Sequence, residues 1–312
     1  MPLQIDQSPV ASHDPMKRAG AVLKRTVVSF YSDQMTQHAA ALTYYALMSL
    51  FPAVLLALSL LGLLGQYPAT YDAIMGYLND VVPSSALVPL DRSLRNALRS
   101  QGTATTTLVI SVAFALYGTT GALEAARRAL NVVLEADGGR RFLRRKAIDI
   151  GSTFLLMTLI IVSLVLVFVG GGFARDLLGF VGMGPEAART WNVLRWPAAL
   201  AVAMVVFGYV YYVTPDVRQR SFPAVLPGAA VAVMLWLAAS FAFAEYISHV
   251  TRIGVIYGTF TAAILLVAWL WLTHIAMLFG AELNAEIERE RELMEGVPLA
   301  QTLNLATRHG RW

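Results

Sequence analysis

The chain is predicted to be an all-α, polytopic membrane protein: six transmembrane helices, both termini in the cytoplasm, and short interfacial helices between spans. Three observations predict it. Of 312 residues, 57% are hydrophobic and only 14% charged, whereas a soluble domain carries about 25% charged residues to cover its surface. Two apolar runs, Ala224 to Glu245 and Ile256 to Glu282, each exceed the roughly 20 residues a helix needs to cross about 30 Å of hydrocarbon. Lys and Arg are unevenly spread: with six crossings, 17 of the 24 fall in alternate segments that include both termini, which the positive-inside rule places in the cytoplasm.

Taken in order, residues 1–16 are polar, hold three prolines and are expected to be disordered. They lack the apolar core of a cleavable signal, so the first span is expected to serve as the insertion signal. No lipidation pattern is present. From Lys17 to Gln37 a basic face (Lys17, Arg18, Lys24, Arg25) opposes an apolar one (Val22, Leu23, Val27, Phe30). That pattern suits a helix lying in the headgroup region or an ordinary cytoplasmic helix equally well.

The first span is predicted over 39–65. Gln34, His38, Tyr45, Ser49 and Pro52 share one helical face there, and Pro52 denies the carbonyl of Met48 its usual partner. The face reads either as the wall of a cavity beside a kink or as a helix packing surface. Residues 66–103 carry two weak amphipathic patterns, 71–82 and 86–98, which fit short helices on the outer membrane surface. The second span, 104–126, has Thr107, Ser111, Gly118 and Gly121 along one side, small residues that let backbones approach where lipid supplies no hydrophobic drive.

A basic loop, 127–146, holds seven Lys or Arg. The third span (148–170), an outer loop (173–195) and the fourth span (196–214) follow. Trp191, Trp196, Tyr209, Tyr211 and Tyr212 sit near span ends, where amphipathic rings favour the interface. A short loop, 215–221, leads to the fifth span (224–245), a link (246–255) and the sixth span (256–282). The transmembrane domain as a whole is predicted over 17–290, with a cytoplasmic tail at 291–312. Three spans before and three after permit an inverted repeat; FPAVL occurs at Phe51 and Phe222, but at unequal depths, and is read as chance.

Charged groups in or beside the spans are few, and in a membrane such groups mark function or a satisfied ionic cluster. Glu245, His249 and Arg252 share a face at the outer end of the fifth span: a proton-responsive gate, or an interfacial ion cluster. At the inner side Glu124 precedes Arg127 and Arg128 by three and four residues, and Glu282 ends the sixth span. These read as ordinary salt bridges, or as a latch between Glu282 and the basic loop. His274 lies deep in the sixth span near Trp269 and Trp271; without a second ligand at metal spacing it reads as a packing residue with one hydrogen bond. Gly254 and Gly258 form an unspecific GxxxG.

Chemistry-bearing motifs are missing. There is no P-loop, no H-E-x-x-H, no G-x-S-x-G and no Asp/His cluster able to hold two metals. The absence of cysteine rules out disulfides and cysteine-based zinc sites. No cofactor, no metal and no catalytic residue is predicted. The stretch 140–146 has a single aromatic, Phe142, and lies where topology alone demands positive charge, so nucleic acid is not an expected partner.

The order of HAAALTYYALMSLFPAVLLALSLLG, RRALNVV followed by GRRFLRRK, PGAAVAVMLWLAASFAFAEYISH, IYGTFTAAILLVAWLWL and GAELNAE resembles the YihY/BrkB family of bacterial inner-membrane proteins, over roughly residues 20–290. The resemblance implies six transmembrane helices and an inner-membrane location, and no settled activity. Family members have carried the label ribonuclease BN, now regarded as misassigned, and others a name for resistance to serum killing. Pro52, Leu130, Asn131, Tyr257, Gly258, Glu282 and Asn284 match its motif positions, with Thr259 a mild departure. The expectation is a non-enzymatic protein that moves or senses a small or lipid-like substrate across the cytoplasmic membrane. The alternative is an envelope scaffold or resistance factor whose loop 66–103 and basic loops dock partners. Membrane lipids are the expected partners in both, with homo-oligomers or envelope proteins as further ones.

Overall fold

The computed structural model describes residues 15–63, 75, 91, 104–136, 142–168, 185–249 and 261–295. Among them there is no β-strand. The helices are α1 (Pro15–Ser32), α2 (Met35–Leu63), α3 (Ala104–Val133), α4 (Phe142–Phe168), α5 (Pro185–Val213), α6 (Leu226–His249) and α7 (Thr261–Met294), with a 3-10 turn at Phe222–Val225 ahead of α6. Three stretches among the described residues are long and apolar enough to cross a membrane: Glu186–Val213, Phe222–Ile247 and Ala263–Met294. They contain the predicted fourth and fifth spans in large part and most of the sixth. The patterns 71–82 and 86–98, apart from Met75, Asp91 and nothing else, lie outside the described residues, as do Arg252, Gly254 and Tyr257 to Thr259 in the link.

Helix ends depart from the predicted boundaries, and three of the departures have a local reason. The run expected as one helix from Lys17 to Gln37 breaks between α1 and α2. Gln34 takes a left-handed conformation, φ 55°, and its N–H donates to the carbonyl of Tyr31 at 3.2 Å, a capping geometry that ends α1. The helix of the predicted second span, α3, continues past its predicted end, through Arg127 and Arg128, because the chain is capped only at Glu135. There φ is 49°, the Glu135 N–H donates to Val132 and the Ala136 N–H to Asn131, the paired bonds of a Schellman motif. Residues 127–133 of the expected basic loop are therefore helix, and 142–146 form the start of α4. Finally α5 begins at Pro185, eleven residues before the predicted span, with proline in the first turn where its missing N–H costs nothing.

The chain divides into two compact units. The first comprises residues 1–39, 123–239 and 273–312. Its core is built where α6 and α7 touch. A Cβ on Gly228 would overlap the carbonyl oxygen of Gly280, and one on Gly280 would overlap that of Gly228, so the two backbones are in direct contact. Asn284 locks the crossing: its Oδ1 accepts the Gly228 N–H at 2.8 Å and its Nδ2 donates to the Val225 carbonyl at 2.9 Å. The first of these bonds supplies an acceptor to one of the N–H groups that the start of a helix leaves unpaired. Tyr211, expected at the membrane interface, is instead buried, with its hydroxyl donating to the carbonyl of Met277 at 2.5 Å.

The second unit comprises residues 40–122 and 240–272. Here α2 lies against the small-residue side of α3. A Cβ on Gly118 would fall 2.8 Å from Ser49 Cα, and one on Gly121 2.7 Å from the Tyr45 ring. On α6 and α7, Trp269 donates its indole N–H to Ser240 at 3.1 Å.

Candidate functional site

The first unit holds a concentration of buried charge unusual for so apolar a chain. It is assembled from α1, the capped end of α3 and the polar half of α7. Along α7, Glu282, Glu286 and Glu290 recur every four residues and so share one face. On α1, Arg25 turns its guanidinium toward that face. Its Nε–H donates to Glu286 at 3.0 Å and its second nitrogen to Glu290 at 2.5 Å. Ser29, one turn on, donates to the other oxygen of Glu286 at 3.1 Å. Arg289 donates to Glu135 at 2.7 Å and stands 3.4 Å from Glu286.

These groups, with Ser32, Asp33 and Val133, enclose a cavity of about 80 Å3. Asp33 comes from the turn between α1 and α2 and accepts the Ser32 hydroxyl at 3.2 Å. Its carboxyl is held above the ordinary aspartate value, chiefly because burial penalises the charged form, with the nearby Glu135 and Glu286 charges acting in the same direction. Glu282 is 1% exposed, and its Oε1 has no hydrogen-bond partner. A buried carboxyl oxygen left without a partner is costly, so its presence on the cavity wall asks for a reason.

A second buried cluster lies in the same unit, centred on Arg127, 3% exposed. Arg127 pairs with Asp149 on α4, donates to the Thr214 carbonyl at 3.3 Å, and lies 4.0 Å from Asp216. Asn131 and Asp216 exchange two hydrogen bonds of 3.0 Å each. The cluster staples α3, α4 and the turn after α5. At the surface, Arg220 joins Glu288 at 2.6 Å and Glu295 at 2.8 Å, which holds the Glu295 carboxyl below its ordinary value.

The predicted site residues are distributed as follows. Glu124 and Arg128 meet at 3.5 Å, one turn apart on α3. Arg127, on the same helix, turns to Asp149 instead, and Glu282 faces the cavity. His38 is half-buried near the start of α2 and belongs to the first unit; Tyr45, Ser49 and Pro52 belong to the second, where Tyr45 and Ser49 pack on α3. Glu245 and His249 are exposed on α6 with a side-chain separation of 3.4 Å, and Arg252 falls outside the described residues. His274 is half-buried on α7. Among the described residues no group of three His, Cys, Asp or Glu is placed to hold a metal ion.

Sequence reasoning missed Arg25, Asp33, Glu135, Glu286 and Arg289 as partners. The four-residue recurrence of glutamate on α7, opposite a basic face on α1, was a usable signal for Arg25 and Glu286. Asp33 and Glu135 sit in turns and carry no periodic signal.

Comparison with known proteins places this architecture. The family model described as virulence factor BrkB matches residues 26–301. The ribonuclease-like protein YfkH of Bacillus subtilis is 27% identical over 83% of this chain and 92% of its own length. A UPF0761 membrane protein of Pseudoalteromonas translucida is 29% identical over 83% of each chain. Another UPF0761 membrane protein, from Chromohalobacter salexigens, is 26% identical over 91% of this chain and 68% of its own. No solved structure matches the chain. With a match that begins within α1 and runs through the whole of α7, this chain is an integral membrane protein belonging to the BrkB family.

Proposed function

We propose that the protein crosses the bacterial cytoplasmic membrane six times with both termini inside, and that it translocates a small or lipid-like substrate, using the charged cavity as a polar station on the route. The observation that carries the reading is the cavity wall itself: four carboxyl groups and two guanidinium groups enclosed between helices of an otherwise apolar chain. In membrane proteins an ionisable group within a span is by default read as a functional site, with substrate and ion pathways among its commonest uses. Support for three crossings beyond those of α5, α6 and α7 comes from length: α2, α3 and α4 have 29, 30 and 27 residues, or about 40 Å each at the helical rise. The Lys and Arg distribution supports the orientation. The same reading assigns the protein no catalysis.

Topology is tested by labelling. The chain has no cysteine, so single cysteines placed at Arg140 and at Arg92 report directly; a membrane-impermeant maleimide applied to spheroplasts should label the second and not the first. Translocation is tested in proteoliposomes, with headgroup-labelled phosphatidylethanolamine and radiolabelled methylammonium as probes. Movement above protein-free vesicles that falls on Glu282→Gln supports the proposal. Movement equal to empty vesicles for both probes, or unaffected by the substitution, contradicts it.

A further inference from the structure

We propose that the cavity between α1, the capped end of α3 and α7 is a binding site for a primary ammonium group, with Glu282 and Asp33 as its acceptors. The inference rests on the translocation reading only for its purpose, since binding is measured without transport and can fail or succeed separately.

Charge on the cavity wall does not balance. Arg25 is spent on Glu286 and Glu290, and Arg289 on Glu135 and Glu286. Glu282 receives no hydrogen bond at Oε1, and Asp33 has the neutral Ser32 hydroxyl. Two carboxyl groups therefore face the space without an arginine bound to either. The Glu282 side chain is the decisive one. It is almost completely buried, it lines the cavity, and its open oxygen is an acceptor with nothing to accept from.

The shape of the site narrows the ligand class. The carboxyl groups surround the space without converging, and no three of the described acidic or histidine side chains are placed to hold a metal ion. An ammonium group suits that spread, because its three N–H donors diverge and each can take a different acceptor. A volume of about 80 Å3, well above the roughly 10–15 Å3 that one water needs on the same measure, accommodates an aminomethyl end. Asp33 and Glu135 on the wall are both half-buried, so acceptors line the more exposed part of the site as well as its buried part. Both residues stand at helix caps where a left-handed residue, Gln34 or Glu135, turns the chain. Either a soluble amine or the headgroup of an aminophospholipid presents the same –CH2–NH3+ end.

The test uses the purified full-length protein in detergent, monitored by thermal melting. Methylammonium chloride is compared with tetramethylammonium chloride at equal ionic strength, the second ion having charge but no N–H. Methylammonium alone should raise the melting temperature in a saturable way. Glu282→Gln should weaken the response about tenfold or more, as expected for loss of a charge-assisted hydrogen bond, and Asp33→Asn provides an independent variant should the first not fold. Mixed micelles containing phosphatidylethanolamine or phosphatidylcholine separate the sources. A shift with the former only identifies a headgroup, and a shift with methylammonium but neither lipid identifies a solute; both support the site. Equal responses to the two ammonium ions, no response to either, or a wild-type response in both variants would overturn it.

Discussion

Arg25 and Glu286, 261 positions apart in sequence, meet in a buried ion pair of 3.0 Å that fastens the amphipathic first helix to the polar end of the last. Since Arg25 also holds Glu290, one guanidinium neutralises two carboxylates on successive turns of α7. The planar fork of arginine suits that task, and lysine cannot reproduce it.

Arg25→Met therefore takes the guanidinium from buried Glu290 and leaves Glu286 with Ser29 and Arg289 alone. Breaking a buried pair from one side costs about 3–5 kcal/mol, and α1 should detach before the rest unfolds. Limited proteolysis in detergent should show cleavage within 15–32 in the variant and protection in the wild type. Equal protection of both would show that the pair does not hold the helix.

Two glycines make a paired prediction. Gly280→Ala drives a Cβ into the Gly228 carbonyl, a backbone atom that cannot rotate aside, and should destabilise by about 1–3 kcal/mol or more. Gly20 on α1 has nothing within 4 Å of a built Cβ, so Gly20→Ala should stabilise by about 0.5–1 kcal/mol through helix propensity alone. Melting both variants checks the contrast.

The raised Asp33 carboxyl fixes the sign of a pH effect. A carboxyl that binds its proton more firmly in the folded state adds stability as pH falls, and the ionised form costs stability above the folded-state value. Asp33→Asn should thus melt higher than wild type near neutral pH, and the difference should vanish once pH drops below the ordinary aspartate range. A gap that widens on acidification would reverse the assignment.

How much of this was legible in the sequence depended on the kind of signal. Apolar length and composition are local, so the stretches that became α5, α6 and α7 could be placed directly. The small face of α3 was equally visible, and it meets Tyr45 and Ser49 as a packing surface. Arg127 shows where the reading failed. Charge counting assigned it to a loop, but helix end and burial are set by the Glu135 cap and by Asp149, neither of which a charge count can see. The cavity was half legible: glutamates four residues apart mark one face of α7, whereas the contribution of Asp33 and Glu135 depends on where two turns lie after folding.

The proposed ammonium site keeps Glu282 for binding at the expense of stability, since a buried acceptor without a donor costs about 1–3 kcal/mol. Its most direct test is the melting temperature of Glu282→Gln beside wild type in the absence of any amine, where the amide N–H groups gain the neighbouring carboxylates as acceptors. The account predicts that the variant melts higher by a few degrees. A variant that melts lower than wild type would show that Glu282 is a structural residue already satisfied in the folded protein, and would contradict it.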